Sequence, residues 1–446
     1  MATTYISRTQ ANGTSSQKFT VSCWVKRSQK GSTGALWGSG SSTTDGCDLF
    51  IQTNGELGFE SWDTSENPKI ITTRQLIDAN AWYNIVLAVD TTQATASNRL
   101  KMYINGVQET VFGIAETYPP QNYNFMVSTT NDVMKFGVGG QYATSYFNGS
   151  MSYVAFVDGT AELPGIFGET DSTTGEWKIK TSITPSVAWG INGCLLLKNG
   201  NSLTDESGNS NNFTLAGGTL TNTEDCPDNN FATWNGLIGY TDTLTNGNTT
   251  VTRSASGWRG AFSSLPLPTT GKFYCEFKIS SGSNLSDLRA GIADDSFDGS
   301  IDLQNRNQVN QLGEQTNGIS YTASNGNSSI NASEASYGSA ISTSNVLGMA
   351  VDMTNMKLYF SKDGVFQNSG DPTSGATGTG ALAIPATLGK YFVAVGVNTS
   401  AWHVNFGNGT FGTTAITSAG TPGSTPGEFE YDVPTGYEPL TTKGLN

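Results

Sequence analysis

The stretch "RLKMYINGVQ" (residues 99–108) and the stretch "NMKLYFSKDGVFQ" (residues 355–367) decide how this chain is read. Each sets a Lys beside alternating apolar residues, then a Tyr, a Gly-centred turn, another apolar residue and a Gln. Period-two alternation puts Leu100, Met102 and Ile104 on one face of a strand. Asn105-Gly106 and Asp363-Gly364 suit the positive φ angles of a type I′ or bulged hairpin turn. Both halves of the chain therefore carry a strand, a tight turn and a partner strand.

Outward from these hairpins, strand follows strand. "FTVSCWVKR" (19–27), "ALWGSG" (35–40), "CDLFIQTNGELGFESW" (47–62), "AWYNIVLAVD" (81–90), "VMKFGVGG" (133–140) and "GSMSYVAFVDGT" (149–160) fill the first half. "GKFYCEFKIS" (271–280), "LRAGIAD" (288–294), "GISYTA" (318–323) and "YFVAVGVNTSAWHVNFG" (391–407) repeat the style in the second. No stretch long enough for a helix keeps the i, i+3, i+4, i+7 pattern. Residues 166–232 read as looser, with the Asn-, Ser- and Gly-rich "SLTDESGNSNNFTLAGG" (202–218), although "GCLLLKNG" (193–200) is apolar enough to be a returning strand. The span 368–385 reads as a solvated loop. The expected fold is all-β: two tandem antiparallel β-sandwich, jelly-roll-like domains. The first covers 1–232 with its extension and linker, and the second covers 233–446 with its C-terminal tail.

Composition agrees. The 446 residues hold 53 Gly, 36% apolar and only 13% charged residues, as a turn-rich β protein does. Their 21 Phe, 16 Tyr and 9 Trp argue against disorder, because aromatic burial offsets chain entropy. A net charge of −14 with no basic run speaks against nucleic-acid binding and against docking on anionic lipid. No window approaches a membrane span, so no membrane insertion is expected. The five cysteines form no CxxC pair, and mid-strand Cys23 and Cys275 read as reduced buried thiols. The N-terminus lacks a signal-peptide core, which points to synthesis and retention in a reducing cytoplasm.

Residues 15–165 resemble the laminin-G-like, concanavalin-A-like jelly roll. The carriers are "FTVSCWVKRS", "WYNIVLAVDTTQATASNRLKMYINGVQ" and "FNGSMSYVAFVDGT". Residues 258–410 resemble a SPRY domain through "GKFYCEFKI", "RAGIAD", "VLGMAVDMTNMKLYFSKDGVF" and "YFVAVGV" with "WHVNFG". The combination, with "FVDGTAELPGIFGETDSTTGEWKIK", "LTDESGNSNNFT", "CPDNNFATWN" and "VPTGYEPLTTKGLN", is similar to structural and tail-associated proteins of tailed bacteriophages, notably marine ones. That resemblance implies a protein of the virion surface, of tail fibre or spike type, mediating host attachment through a host glycan or envelope component. Its partners would be other virion proteins, in a homo-oligomer for which a trimer is the model. The alternative it leaves open is a capsid decoration, head-surface or collar protein without direct receptor binding.

Reactive apparatus is sparse. Jelly-roll glucanases place carboxylates as Glu-x-Asp-x-x-Glu on one strand face, and the chain lacks that motif. The nearest, "EFEYD" (428–432), aligns Glu428, Glu430 and Asp432 in a tail read as solvated. The single histidine, His403, sits in a predicted terminal strand and reads as packed or hydrogen-bonded. No enzymatic activity is expected. Sugars bind aromatic faces flanked by amides and carboxylates. Predicted loops offer Trp37, Trp62, Tyr118, Tyr123, Tyr142 and Tyr146 in the first half and Trp258, Arg259, Tyr321 and Tyr337 in the second. Trp82, Tyr83, Tyr359 and Trp402 read as sheet-packing residues. No cofactor is expected apart from calcium, which wants several carboxylates on a flexible loop. "IADDSFDGSID" (292–302), with Asp294, Asp295, Asp298 and Asp302, is the first candidate. Asp45 and Asp48 in "DGCDLF" are the second.

Overall fold

Both hairpin turns take the conformation their residues favour. Asn105 and Gly106 have φ of 49° and 78°, and Asp363 and Gly364 have 50° and 78°, the double positive φ of a type I′ turn. The structure, a computed structural model, describes every residue except 1–2, 29–30, 41–44, 64–66, 114–115, 141–143, 184–186, 238–242, 281–283, 296–311, 314–317, 388, 422, 424–425 and 446. The chain divides into two compact units, Met1–Asn222 and Thr223–Asn446. Each is an antiparallel β-sandwich. No helix among the described residues is long and apolar enough to cross a membrane.

In the first unit a seven-stranded sheet runs in the spatial order Thr214–Gly217, Tyr5–Thr9, Val133–Phe136, Gly34–Gly40, Gly46–Ile51, Glu56–Trp62 and Lys69–Gln75. A six-stranded sheet packs on it, in the order Cys194–Leu196, Gly149–Asp158, Lys18–Arg27, Trp82–Asp90, Leu100–Ile104 and Val107–Gln108. Val21, Cys23, Ile85 and Leu87 of the second sheet meet Leu49, Phe59 and Ile70 of the first in one core. The leucines of "GCLLLKNG" do form a returning strand, paired with Gly149–Asp158.

The region from 166 onward is not loose. Phe167, Ile183 and Trp189 bury the outer face of the six-stranded sheet, against Val86, Ala88, Tyr103 and Val157. Trp177 and Ile179 do the same beside Trp24 and Trp82. The Asn/Ser/Gly composition of 202–218 is turn chemistry, not linker chemistry. Asp205 accepts the backbone N–H groups of Leu195, Ser207 and Asn211 at 2.8–2.9 Å, and the Asn211 amide donates to the carbonyls of Ile191 and Gly193. Residues 223–232 pack in the second unit, where Ala232 joins the core.

In the second unit, one sheet runs Thr243–Thr245, Thr250–Thr252, Ala401–Asn405, Lys272–Ile279, Val346–Asp352, Lys357–Lys362 and Val365–Phe366, with Leu382–Ala383 and Glu438–Pro439 pairing at its sides. The other runs Arg259–Phe262, Tyr391–Val397, Leu288–Asp294, Gly318–Thr322, Asn327–Ile330 and Ser333–Ser336. The span 368–385 is partly built, with a 3-10 turn at Pro372–Thr377 and the short strand Leu382–Ala383. The "EFEYD" tail is also docked. Phe429, Val433 and Tyr437 pack on Tyr274, Ala350 and Tyr359, on the outer face of the hairpin-bearing sheet.

The two units share two devices. In each, an aromatic ring from a segment C-terminal to the hairpin covers the turn glycine. A Cβ at Gly106 would lie 2.5 Å from the Trp177 ring, and one at Gly364 would lie 2.8 Å from the Tyr431 ring. In each, the first and last segments pair. Tyr5–Thr9 is antiparallel to Thr214–Gly217. Phe231 bridges Thr441, with hydrogen bonds from Ala232 N–H to the Leu440 carbonyl and from Thr442 N–H to the Asn230 carbonyl.

Candidate functional site

Sheet register assembles a row of charge on the outer face of the seven-stranded sheet. Lys135 pairs with Gly38, Gly38 with Asp48, Asp48 with Glu60, and Glu60 with Lys69. The Lys69 ammonium lies 2.8 Å from the Glu60 carboxylate. Asp48 is closed off. It is 3% exposed, and its Oδ1 accepts the Gly140 N–H at 2.5 Å while Lys135 donates to the Gly140 carbonyl at 3.1 Å. Burial, with Glu60 adding to it, pushes the Asp48 carboxyl up to about 7. Asp48 and Glu60 therefore do not present two carboxyl groups to one sugar bond, as glycoside hydrolysis requires.

Two residues along the same face, Trp62 pairs with Gly46. The missing side chain there lets the indole lie against the sheet, and a Cβ would meet it at 3.2 Å. This end of the sheet is a rim. Thr117 and Lys69 exchange backbone hydrogen bonds of 2.9 and 2.8 Å, which brings Tyr118 to it. The Tyr118 hydroxyl donates to Glu116 at 3.2 Å. The Tyr123 hydroxyl donates to Asp63 at 2.6 Å, and its ring stands edge-on to Phe125 at 4.8 Å. Burial first, and then Asp63, raise the Tyr123 phenol above its ordinary value. The loop is held from below: Arg99 donates to the carbonyls of Gln93, Ala94 and Pro119 at 2.7–2.9 Å, and Thr91 donates to that of Tyr123 at 2.8 Å. Trp62, Glu60 and Lys69 thus share the outer face of this sheet end, while Tyr118 and Tyr123, with Glu116 and Asp63, border its core side. Such a site offers apolar ring faces with carboxylate acceptors and a cationic donor beside them.

The other sequence candidates separate. Trp37 is not on a loop. It lies in the strand Gly34–Gly40, fully buried, stacked on Phe156 at 6.0 Å and 13°. Tyr321 and Tyr337 are also core residues, 6.3 Å apart and edge-to-face. Tyr321 donates to the Ser339 carbonyl, and Tyr337 accepts the Phe360 N–H at 3.4 Å. Burial raises both phenols to about 12. These three contact no ligand from solvent. Trp258 is half-buried under the Arg289 guanidinium, 5.6 Å from its ring, and Arg259 donates to the Trp258 carbonyl at 3.0 Å. Tyr146 rests on Tyr5 at 6.1 Å, and Tyr142 lies outside the described residues.

Asp294 is fully buried at the end of its strand and accepts from the Thr387 hydroxyl, and Asp295 accepts the Lys390 N–H at 3.0 Å. Both carboxylates thus have protein donors, and Asp298 and Asp302 lie outside the described residues. Among the described residues no group of three or more His, Cys, Asp or Glu is placed to hold a metal ion. His403 faces the Thr250 hydroxyl across 2.8 Å. Burial and Lys278 hold its imidazole below the ordinary range.

Sequence reasoning missed Glu60, Asp63, Lys69 and Glu116. Asp63 was legible, as an acid directly after an aromatic at a strand end. Glu60 and Lys69 meet only through the register of two strands, which no local pattern sets.

No curated protein matches the chain. Among solved structures, the SPRY domain of human HERC1 is 14% identical, covering 38% of this chain and 96% of that one, at a TM-score of 0.30. A heptameric SAP-like pentraxin from Limulus polyphemus is 16% identical, covering 36% and 72%, at 0.27. Domain 4 of the extracellular arabinanase AbnA from Geobacillus stearothermophilus, solved with arabinotriose, is 22% identical, covering 34% and 65%, at 0.26. Residues 1–163 match the family model Laminin_G_3 and are in that span similar to the concanavalin A-like lectin/glucanases superfamily.

Proposed function

We propose that this chain is a non-catalytic attachment protein of a bacteriophage virion surface, of tail fibre or spike type, whose first unit binds a host glycan. The supporting observation is the rim at one sheet end: Trp62 with Glu60 and Lys69 on the outer face, and on the core side Tyr118 and Tyr123, bonded to Glu116 and Asp63, on a loop pinned through Arg99. A rigid rim loses little entropy when a sugar docks. The family match of residues 1–163 is in keeping with carbohydrate binding. The virion context rests on the sequence resemblance. In it the protein works with other virion proteins and as a homo-oligomer, so that weak sites add through avidity.

Binding to a glycan array and to host cells tests the proposal. Trp62→Ala and Tyr118→Ala, with circular dichroism unchanged, are expected to lower binding at least tenfold. Binding that survives both substitutions overturns the rim. A second reading, a packing protein of the capsid surface, draws on Val107 and Val111, which are 56% and 63% exposed beside a sheet edge. Many copies spread over the capsid would favour it, and a few copies at the tail would favour attachment.

A further inference from the structure

One cation of the first unit is buried without a counter-charge. Val21, Cys23 and Val25 point into the core, and alternation carries Arg27 inward after them, between the two sheets at the end of its strand. Arg27 is 4% exposed. Its Nη1 donates to the Leu76 carbonyl at 2.7 Å. The turn residue Gly55 sits close over it, since a Cβ there would lie 3.3 Å from Nη1. A guanidinium has five N–H groups, and the Leu76 carbonyl takes one of them. Among the described residues no other acceptor and no carboxylate takes the rest. Burial lowers the guanidinium from its ordinary value, and the one titratable group opposing that is Tyr83. Beside Arg27 a small pocket opens, with room for about one water-sized group. Gly34, Ile51 and Phe147 form its buried wall, and Ser32 and Asn148 stand on the solvent side.

We propose that this pocket binds a single carboxylate group, paired with the Arg27 guanidinium. A charge taken out of water is costly unless it is paired, and here the fold supplies the buried cation and an opening beside it without the partner. The planar fork of a guanidinium matches the two oxygens of a carboxylate. A phosphate brings more oxygens and more charge than one guanidinium and so small a pocket can take. The net charge of −14 acts in the same direction, because it repels a polyanion more than a singly charged ligand. Free small acids and the acid groups of sugars carry the same chemistry. The site is separate from the rim. Ile51 pairs with Gly34 and Gly46 with Trp62, so the two lie at opposite ends of the strand Gly46–Ile51, about 17 Å apart. A small ligand bound at one does not touch the other.

Methyl NMR of the full chain, read at the Ile51 δ-methyl, tests this. Acetate and galacturonate are each expected to shift that signal saturably, whereas galactose, and sulfate at matched ionic strength, are not. A tighter response to galacturonate than to acetate assigns the carboxylate to a sugar, and an equal response assigns it to a free acid. Arg27→Gln is expected to abolish the saturation. Arg27→Lys, which keeps the charge without the fork, should weaken it at least about tenfold. No saturable shift in the native chain, a sulfate response equal to that of the carboxylates, or a response that survives Arg27→Gln overturns the site. Should Arg27→Gln not fold, the native chain decides alone. Carboxylate saturation that sulfate does not reproduce supports the site, and a shift linear in added salt ends it.

Discussion

One acceptor oxygen locks each of the two hairpin turns. The Asn105 side chain accepts the Asn84 N–H at 2.8 Å while the Asn105 N–H donates to the Asn84 carbonyl at 2.8 Å. Asp363 repeats this on Val346, at 2.8 and 2.9 Å. Turn and strand are thereby joined at the position where register is set. Asp363→Ala leaves the Val346 N–H without that acceptor and is expected to destabilise the second unit by about 1–3 kcal/mol. Asp363→Asn, which keeps an acceptor, should lose less, and urea unfolding midpoints would rank the two. Asp48 supplies a test of opposite sign. Its carboxyl is raised to about 7, so its contribution to stability is fully present below 3.8 and is lost as pH rises through 7. Asp48→Asn keeps an acceptor for the Gly140 N–H without the charge. Its melting temperature is expected to equal or exceed the native one at pH 8, and to depend less on pH between 4 and 8. A variant that melts well below the native chain at pH 8 would refute the burial argument.

Among elements, the sandwich strands were legible because they alternate, and the exceptions have local causes. Leu36 and Trp37 are neighbours in sequence and both lie in the core, because the pairing with Gly46–Ile51 slips between Ala35 and Trp37. A bulge of this kind defeats period-two reading and left Trp37 looking like a loop residue. Tyr337 follows the pair Asn327–Ile330 and Ser333–Ser336, whose Ser-rich sequences carry no apolar alternation to announce them. The covering segments were illegible for another reason. Trp177 and Tyr431 have no periodic partners nearby, and only long-range docking on Gly106 and Gly364 gives them a place. Trp177→Ala removes an indole that also donates to Asn84 at 3.1 Å. Its half-exposed setting puts the expected loss at about 2 kcal/mol. Chemical denaturation followed by circular dichroism would measure it, and a loss below about 0.5 kcal/mol would mean that the cover is ornamental to the fold.

On the scale of the whole molecule, the rim belongs to the first unit, and nothing in the function proposed for it requires the second. The rim was half legible. The sequence singled out Tyr118 and Tyr123, which do lie on a loop, and Trp62, which ends the strand Glu56–Trp62, while Glu60 and Lys69 came from register and Glu116 from loop docking. Each unit also begins and ends on one pair of segments, with Tyr5 opposite Gly217 and Asn230 beside Thr442, so the chain enters and leaves at the same end of that pair. A pull between the two ends of a unit therefore does not load the terminal hydrogen bonds all at once in shear. It peels them singly, like a zip opened from its tab. A particle tethered through such a unit would find its anchor soft at first extension, giving way in small steps before the sandwich core bears any strain.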